Sequence, residues 1–283
     1  MIPAALSVAA AYEAAGVEPP ATWEDLTAIA ETIKQSGLPA YSVAGADGWT
    51  LTDLFENIYL RSAGPELYDQ LSRHEIPWTD QSVKDALTLM ADVVGDGDNL
   101  AGGTDGTLQT DFPTAVGNVL TEDPAAAMIL EGVFVPGTVE TTLTFPDEYN
   151  LFDFPSIEDS PGSVVTDGNF IVMLRDSPAA QALAAYLASP EAATIWAERG
   201  GYITYNTKVD PSVYPDPVYQ ETAASITEAE VVRFDLSDLQ PGAFGATTGQ
   251  GLWKLFQDFI ADPSDIDGIT QQMEEQASAA FGS

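Results

Sequence analysis

Apolar positions recur at helical spacing in some stretches of the chain and alternate in others, and the two patterns interleave. "TWEDLTAIAETIKQSG" predicts a helix over 23–36. Pro19 and Pro20 hold an extended lead-in, Thr22 is the N-cap, Glu24 and Asp25 lie where the helix dipole favours negative charge, and Gly37 ends it. "LPAYSVAG" reads as a strand into a Gly-containing turn. "TLTDLFENIYLRSAG" reads as a helix with Leu54, Ile58 and Leu60 inward and Gly64 as its stop. "TDQSVKDALTLMADVVGDG" predicts a capped amphipathic helix, followed by a Gly- and Asp-rich loop.

Beyond the loop the pattern turns strand-like: "AAAMIL" is a short buried run, "EGVFVPG" follows, "EYNLFDFP" alternates, and "GNFIVML" is a further strand. Two helices then open alike, "DSPAAQALAAYLA" and "SPEAATIWAERGG", each with Ser as N-cap and Pro at the first helical position. "VVRFDLSDLQPGAFGATTGQG" reads mostly as loop, and helices close the chain around 250–261 and 266–280. The opening "MIPAALSVAAAYEAAG" is Ala-rich, lacks a basic n-region and is interrupted by Glu13, so it reads as a helix and not as a signal peptide. The sum is an α/β chain with a mixed sheet.

Composition narrows the chemistry. The 283 residues are 45% hydrophobic, enough for one large or two ordinary domains, and no apolar run reaches transmembrane length. Acids outnumber bases 44 to 9, a formal charge of −35, which makes nucleic acid and anionic membrane surfaces poor partners. The acids are scattered, as on a strongly solvated surface. Cys is absent, removing disulfides and thiolate chemistry, and the single His74, read as a surface residue beside Glu75, removes His clusters and the usual triads. Asp96, Asp98 and Asp105 do not hold EF-hand spacing, because Leu100 takes a ligand position. No nucleotide, cofactor or hydrolase fingerprint is present. Paired carboxylates could serve a glycosidase, but so many acids make a pair expected by chance.

The aromatics carry more. Trp49, Phe134, Phe244 and Trp253 lie at Gly-rich turns or element ends, where they either cap the core or offer flat faces to a sugar whose hydroxyls pair with Asp, Asn or Gln. "GADGWTLTD" sets Trp49 and Asp53 one helical turn apart, close enough to serve one ligand.

"YEAAGVEPPATWEDL", "GWTLTDLFENIYLRSAGPELYDQ", "HEIPWTDQSVKDA", "EGVFVP", "NFIVML", "YLASPEAATIWAERGGYITYN" and "VRFDLSDLQPGAFGATT" run in order through almost the whole chain. In that order and spacing the chain resembles the extracellular solute-binding proteins of ABC sugar importers, the maltose-binding-protein-like group, nearest its α-glucoside-type branch. The resemblance implies a type II periplasmic-binding-protein-like α/β fold of mixed sheets flanked by helices. It implies a sugar, most simply an α-linked di- or oligosaccharide, held in an interlobe cleft. Hinge closure would present it to membrane permease subunits outside the cell or in the periplasm, with no reaction catalysed and no cofactor. It also implies that residues 1–156 and 229–283 form the second lobe, that 157–228 are the returning part of the first, and that most of the N-terminal lobe is missing. A fragment with no ligand of its own is the alternative. Carried over singly, Trp49 and Asp53 match "GW…TD", Phe134 matches a stacking aromatic, Asn169 stands where a similar turn often has Asp, and Phe244 is a weaker match. Relatives commonly place aromatics after "GATT", where this chain has Gly249 and Gln250; Trp253 would have to substitute.

Overall fold

The computed structural model describes residues 3–168, 171–200 and 203–282. The chain enters as strand β1 (Pro3–Val8), followed by helix α1 (Ala9–Ala15). The single helix expected over 1–16 is thus half strand. Alanine's helical preference amounts to less than about 1 kcal/mol per residue against ordinary residues. Here β1 lies between two partners that satisfy its backbone on both edges. Next come α2 (Trp23–Gln35), α3 (Trp49–Ser62), α4 (Gly64–Ser72) and α5 (Gln81–Val94), then the short helices α6 (Gly103–Thr107) and α7 (Phe112–Gly117). Thr22 caps α2 in a full capping box with Asp25, as its sequence predicts. Gly64 ends one helix but also opens the next.

Strands β2 (Met128–Gly132) and β3 (Tyr149–Asp153) pair antiparallel with β1 from either side, setting Leu6 opposite both Ile129 and Leu151. "LPAYSVAG" is extended but forms only isolated bridges, from Tyr41 to Leu100 and to Met128. A second sheet of two parallel strands joins β4 (Ser163–Thr166) to a strand far along the chain, β5 (Val231–Phe234). Neither strand was legible, because four residues give too little alternation to register. Between them lie α8 (Pro178–Leu187), α9 (Pro190–Ala197) and α10 (Pro217–Glu228). The last stretch holds the short α11 (Gly242–Gly245), then α12 (Gly251–Ala261) and α13 (Ile266–Phe281).

The main core is aromatic at its centre. Phe55 of α3 lies 5.5 Å from Tyr59, 5.0 Å from Phe256 and 6.0 Å from Trp78 between ring centroids, and Trp78 meets Phe244 edge-on at 5.3 Å. α3 is buried along nearly its whole length. Its buried Arg61 donates to the Ser163 carbonyl at 2.6 Å and stands 4.7 Å over the Phe154 ring, tying β4 to the core.

α13 is fastened by one carboxylate. Glu274 accepts from the Trp78 N–H at 2.7 Å and the Ser278 hydroxyl at 2.8 Å, and lies 3.1 Å from Nε2 of His74. His74 is not the surface residue its sequence position suggests: its side chain is 8% exposed and its ring stacks on Phe281 at 5.0 Å. Burial acts to raise Glu274, but the bonds from Ser278, Trp78 and His74 outweigh it and hold the carboxyl below the ordinary value of 4.5. A carboxylate depressed on folding stabilises the fold above its unfolded value, and that contribution fades as pH falls through the folded value. Glu274→Gln should therefore cost about 1–2 kcal/mol at neutral pH. The gap in melting midpoint between variant and parent should close below pH 4.5.

Residues 171–200 differ from the rest. The apolar run over 168–174 predicts a strand; Asn169 and Phe170 lie outside the described residues, and 171–174 form none. An extended segment needs a neighbouring strand to satisfy its backbone, and no described segment pairs with this one. Leu174 is 96% exposed, Val172 72% and Ile171 65%. α8 buries no residue, and Leu183, Ile195 and Trp196 are also exposed. A face this apolar should bind a solvatochromic dye in native buffer, and Leu174→Glu with Trp196→Glu should cut the signal by at least half.

Candidate functional site

The turn before α3 is built by its neighbours. Gln257 of α12 donates to the carbonyls of Gly45 and Ala46 at 2.9 and 3.0 Å, and the Gly45 N–H donates to Thr107 O. Gly48 has φ +82°, and a Cβ there would meet Trp253 Cβ at 2.7 Å, so only glycine lets the turn lie on that tryptophan. Asp47 accepts the Phe112 N–H at 2.6 Å, fastening the head of α7 to the same turn. Three half-buried rings therefore converge: Trp49 lies 5.0 Å from Phe112 and 6.1 Å from Phe134, with 5.5 Å between the two phenylalanines. Such a cluster offers apolar faces with acids close by.

Two buried acids stand close to these rings along the chain. Asp53, one turn along α3 from Trp49, is 3% exposed, and Glu131, three residues before Phe134, is 6% exposed. Burial pushes both carboxyls well above the ordinary range; Asp53 is raised further by Glu131, Glu56, Asp235 and Asp167, and Glu131 by Asp47. Asp53 Oδ2 and Glu131 Oε2 are buried with no hydrogen-bond partner among the described residues. Glu56, one turn further along α3, is fully buried and accepts the Leu236 N–H at 2.6 Å. Oxygens of Asp53, Glu56 and Asp235 all lie within 4.8 Å of one another, so these three could hold a metal ion.

The structure thus brings together Trp49, Phe134 and Asp53, and sets Trp253 against the turn that carries Trp49. Gln250 is exposed at the position before α12 and makes no side-chain cap. Phe244 is 1% exposed with its ring against Trp78, a core position with no face to solvent. Asn169 lies outside the described residues. Sequence reasoning missed Phe112, whose only signal is "TDFP", a helix start with Asp111 as cap. It also missed Glu131 and Glu56, which scattered acids elsewhere concealed.

Comparison with known proteins adds the frame. The model of the bacterial extracellular solute-binding protein family matches residues 8–194. The osmoprotective compounds-binding protein GgtB of Synechocystis is 32% identical over 254 residues, covering 88% of this chain and 59% of that protein. The alpha-glucosides-binding periplasmic protein AglE of Rhizobium meliloti is 28% identical over 263 residues, covering 90% of this chain and 57% of that protein. The chain therefore spans a little under 60% of the length of these curated relatives. Among solved structures, a chitin oligosaccharide binding protein superposes with a TM-score of 0.80 at 15% identity, covering 100% of this chain and 70% of that one, a likeness of fold alone. No helix among the described residues is long and apolar enough to cross a membrane. Matched over well over half of its length by one family model, this chain belongs to the bacterial extracellular solute-binding proteins.

Proposed function

We propose that the chain carries the ligand-facing part of the substrate-binding subunit of an ABC importer, for a small carbohydrate and in particular an α-linked di- or oligosaccharide. The observation that carries this reading is the convergence of Trp49, Phe112 and Phe134, with the buried acids Asp53 and Glu131 a few residues away along the same elements. A sugar ring stacks its C–H face on an aromatic, and its hydroxyls pair with acceptors at the edge. The names of GgtB and AglE, which bind osmoprotective compounds and alpha-glucosides, favour the same ligand class. In this reading Trp49, Phe134 and Trp253 form the walls, Gln250 reaches the rim, Phe244 supports the wall from behind, and Asn169 is kept as a candidate sugar contact. The subunit works outside the cell or in the periplasm, hands its ligand to permease subunits, and performs no reaction.

Residues 1–156 and 229–283 form one lobe in this reading and 157–228 belong to the other, with the ligand between them. In that division β4 and β5 lie close to the two crossings, and the exposed apolar residues of 171–200 favour a segment that packs against a further surface. That exposure also favours a second reading, a fragment with no independent ligand. Thermal melts with a panel of α-linked di- and trisaccharides separate the two. A sugar at about 100 times its dissociation constant should add about 2.7 kcal/mol, a shift of several degrees. A midpoint unmoved by every sugar would favour the fragment.

A further inference from the structure

We infer that Asp53, Glu56 and Asp235 form a site for a divalent, oxygen-preferring cation, calcium in preference to magnesium. Asp53 and Glu56 stand three residues apart on α3, and Asp235 follows directly on β5, so the site joins the most buried helix to the small sheet. The three side chains belong to residues 3%, 0% and 6% exposed. An oxygen from each lies within 4.8 Å of the others, close enough for one cation to bind all three, and a dry all-carboxylate site suits calcium, which takes protein oxygens readily. Magnesium, bonded at about 2.0–2.1 Å, needs a tighter octahedral shell and sheds its waters reluctantly.

Two features beyond the clustering of acids point to a ligand. Asp53 Oδ2 and Glu56 Oε1 are both buried and without a hydrogen-bond partner among the described residues. Meanwhile donors orient the carboxylates from outside. The Leu236 N–H holds Glu56 Oε2, while the Asp238 N–H at 2.9 Å and the Ser237 hydroxyl at 2.8 Å hold Asp235 Oδ1. Each carboxylate held in this way keeps a second oxygen for another partner.

The nearby basic side chains among the described residues are engaged elsewhere. Arg61 is bonded to Asn57 and the Ser163 carbonyl, and Arg233 to both oxygens of Asp69. The side chains that act on Asp53 are all acids: Glu131, Glu56, Asp235 and Asp167. Glu56 and Asp235 approach within hydrogen-bonding reach of each other, so a shared proton is the competing way to relieve the repulsion. A cation relieves it for all three and also engages the two unpaired oxygens. Bound there, it would brace α3 against the point where the chain returns from 157–228. The inference does not depend on the sugar reading, which shares Asp53 alone.

The test uses the whole chain, freed of metal with a chelator, and reads calcium binding by equilibrium dialysis and thermal midpoint, with terbium luminescence as an independent probe. Because the net charge of −35 attracts cations to the surface, magnesium and sodium at matched ionic strength are the controls. One calcium per chain and a midpoint rise of several degrees beyond magnesium are expected. Glu56→Gln and Asp235→Asn, each nearly isosteric, should weaken calcium at least tenfold, while Asp105→Asn at an exposed position of α6 should leave it unchanged. A calcium effect equal to that of magnesium, or one that persists in both variants, would overturn the site. So would proton uptake near neutral pH that disappears in Glu56→Gln while the parent shows no calcium response. If one variant fails to fold, terbium luminescence of the other decides.

Discussion

Gly251→Ala should lower the melting midpoint by roughly 10 °C. Gly251 opens α12 with φ +58°, a region that costs an L-residue about 1–2 kcal/mol. A Cβ there would lie 2.0 Å from Phe244 O, 2.6 Å from its carbonyl carbon and 2.8 Å from its Cα. These are backbone atoms of α11, which cannot swing aside as a side chain could. Forcing them apart adds about 1–3 kcal/mol of overpacking, for a total of roughly 2–5 kcal/mol. At about 2–4 °C per kcal/mol in large domains, the expected drop follows. Gly249→Ala is the control: its φ is +77°, but nothing lies within 4 Å of the added carbon, so only the backbone cost applies. Differential scanning calorimetry of the two variants checks the difference. Equal losses would mean that α11 and α12 do not pack as closely as described.

Trp49→Ala should weaken the preferred saccharide about 30-fold or more, read by isothermal titration or by loss of its thermal shift. Truncating a central aromatic anchor typically costs about 2 kcal/mol or more in binding. Here the ring packs against two others, Phe112 at 5.0 Å and Phe134 at 6.1 Å, so its orientation is already ordered before a ligand arrives. Little ordering entropy is then lost on binding, which makes the contact strong. Phe112→Ala should give a smaller loss of the same kind, because it removes support and not the platform. Gln250→Ala should change affinity by no more than a few-fold, since that exposed side chain competes with water for every bond it makes. If Trp49→Ala binds as the parent does, the ligand face lies elsewhere.

Local signals in this chain determined local structure well. The capping box at Thr22 and Asp25, the Ser-Pro starts of α8 and α9, the capped α5 and the closing helices depend on residues within a few positions of one another. Order and spacing of longer phrases likewise pointed to the solute-binding family and to the aromatic candidates Trp49 and Phe134. Pairing was decided only in three dimensions. β1 is a strand because β2 and β3 lie on both of its edges, β5 because β4 lies beside it, and 171–174 is not a strand because no described segment does. The same holds for the site. Phe244 and His74 were placed by what packs on them, and Phe112 joined Trp49 through Asp47, 65 residues away in sequence. An acid's role here depends on its surroundings: 44 acids look alike in the sequence. Asp53, Glu56 and Asp235 differ from the rest because the fold takes them out of water together, and burial makes an unpaired carboxylate costly.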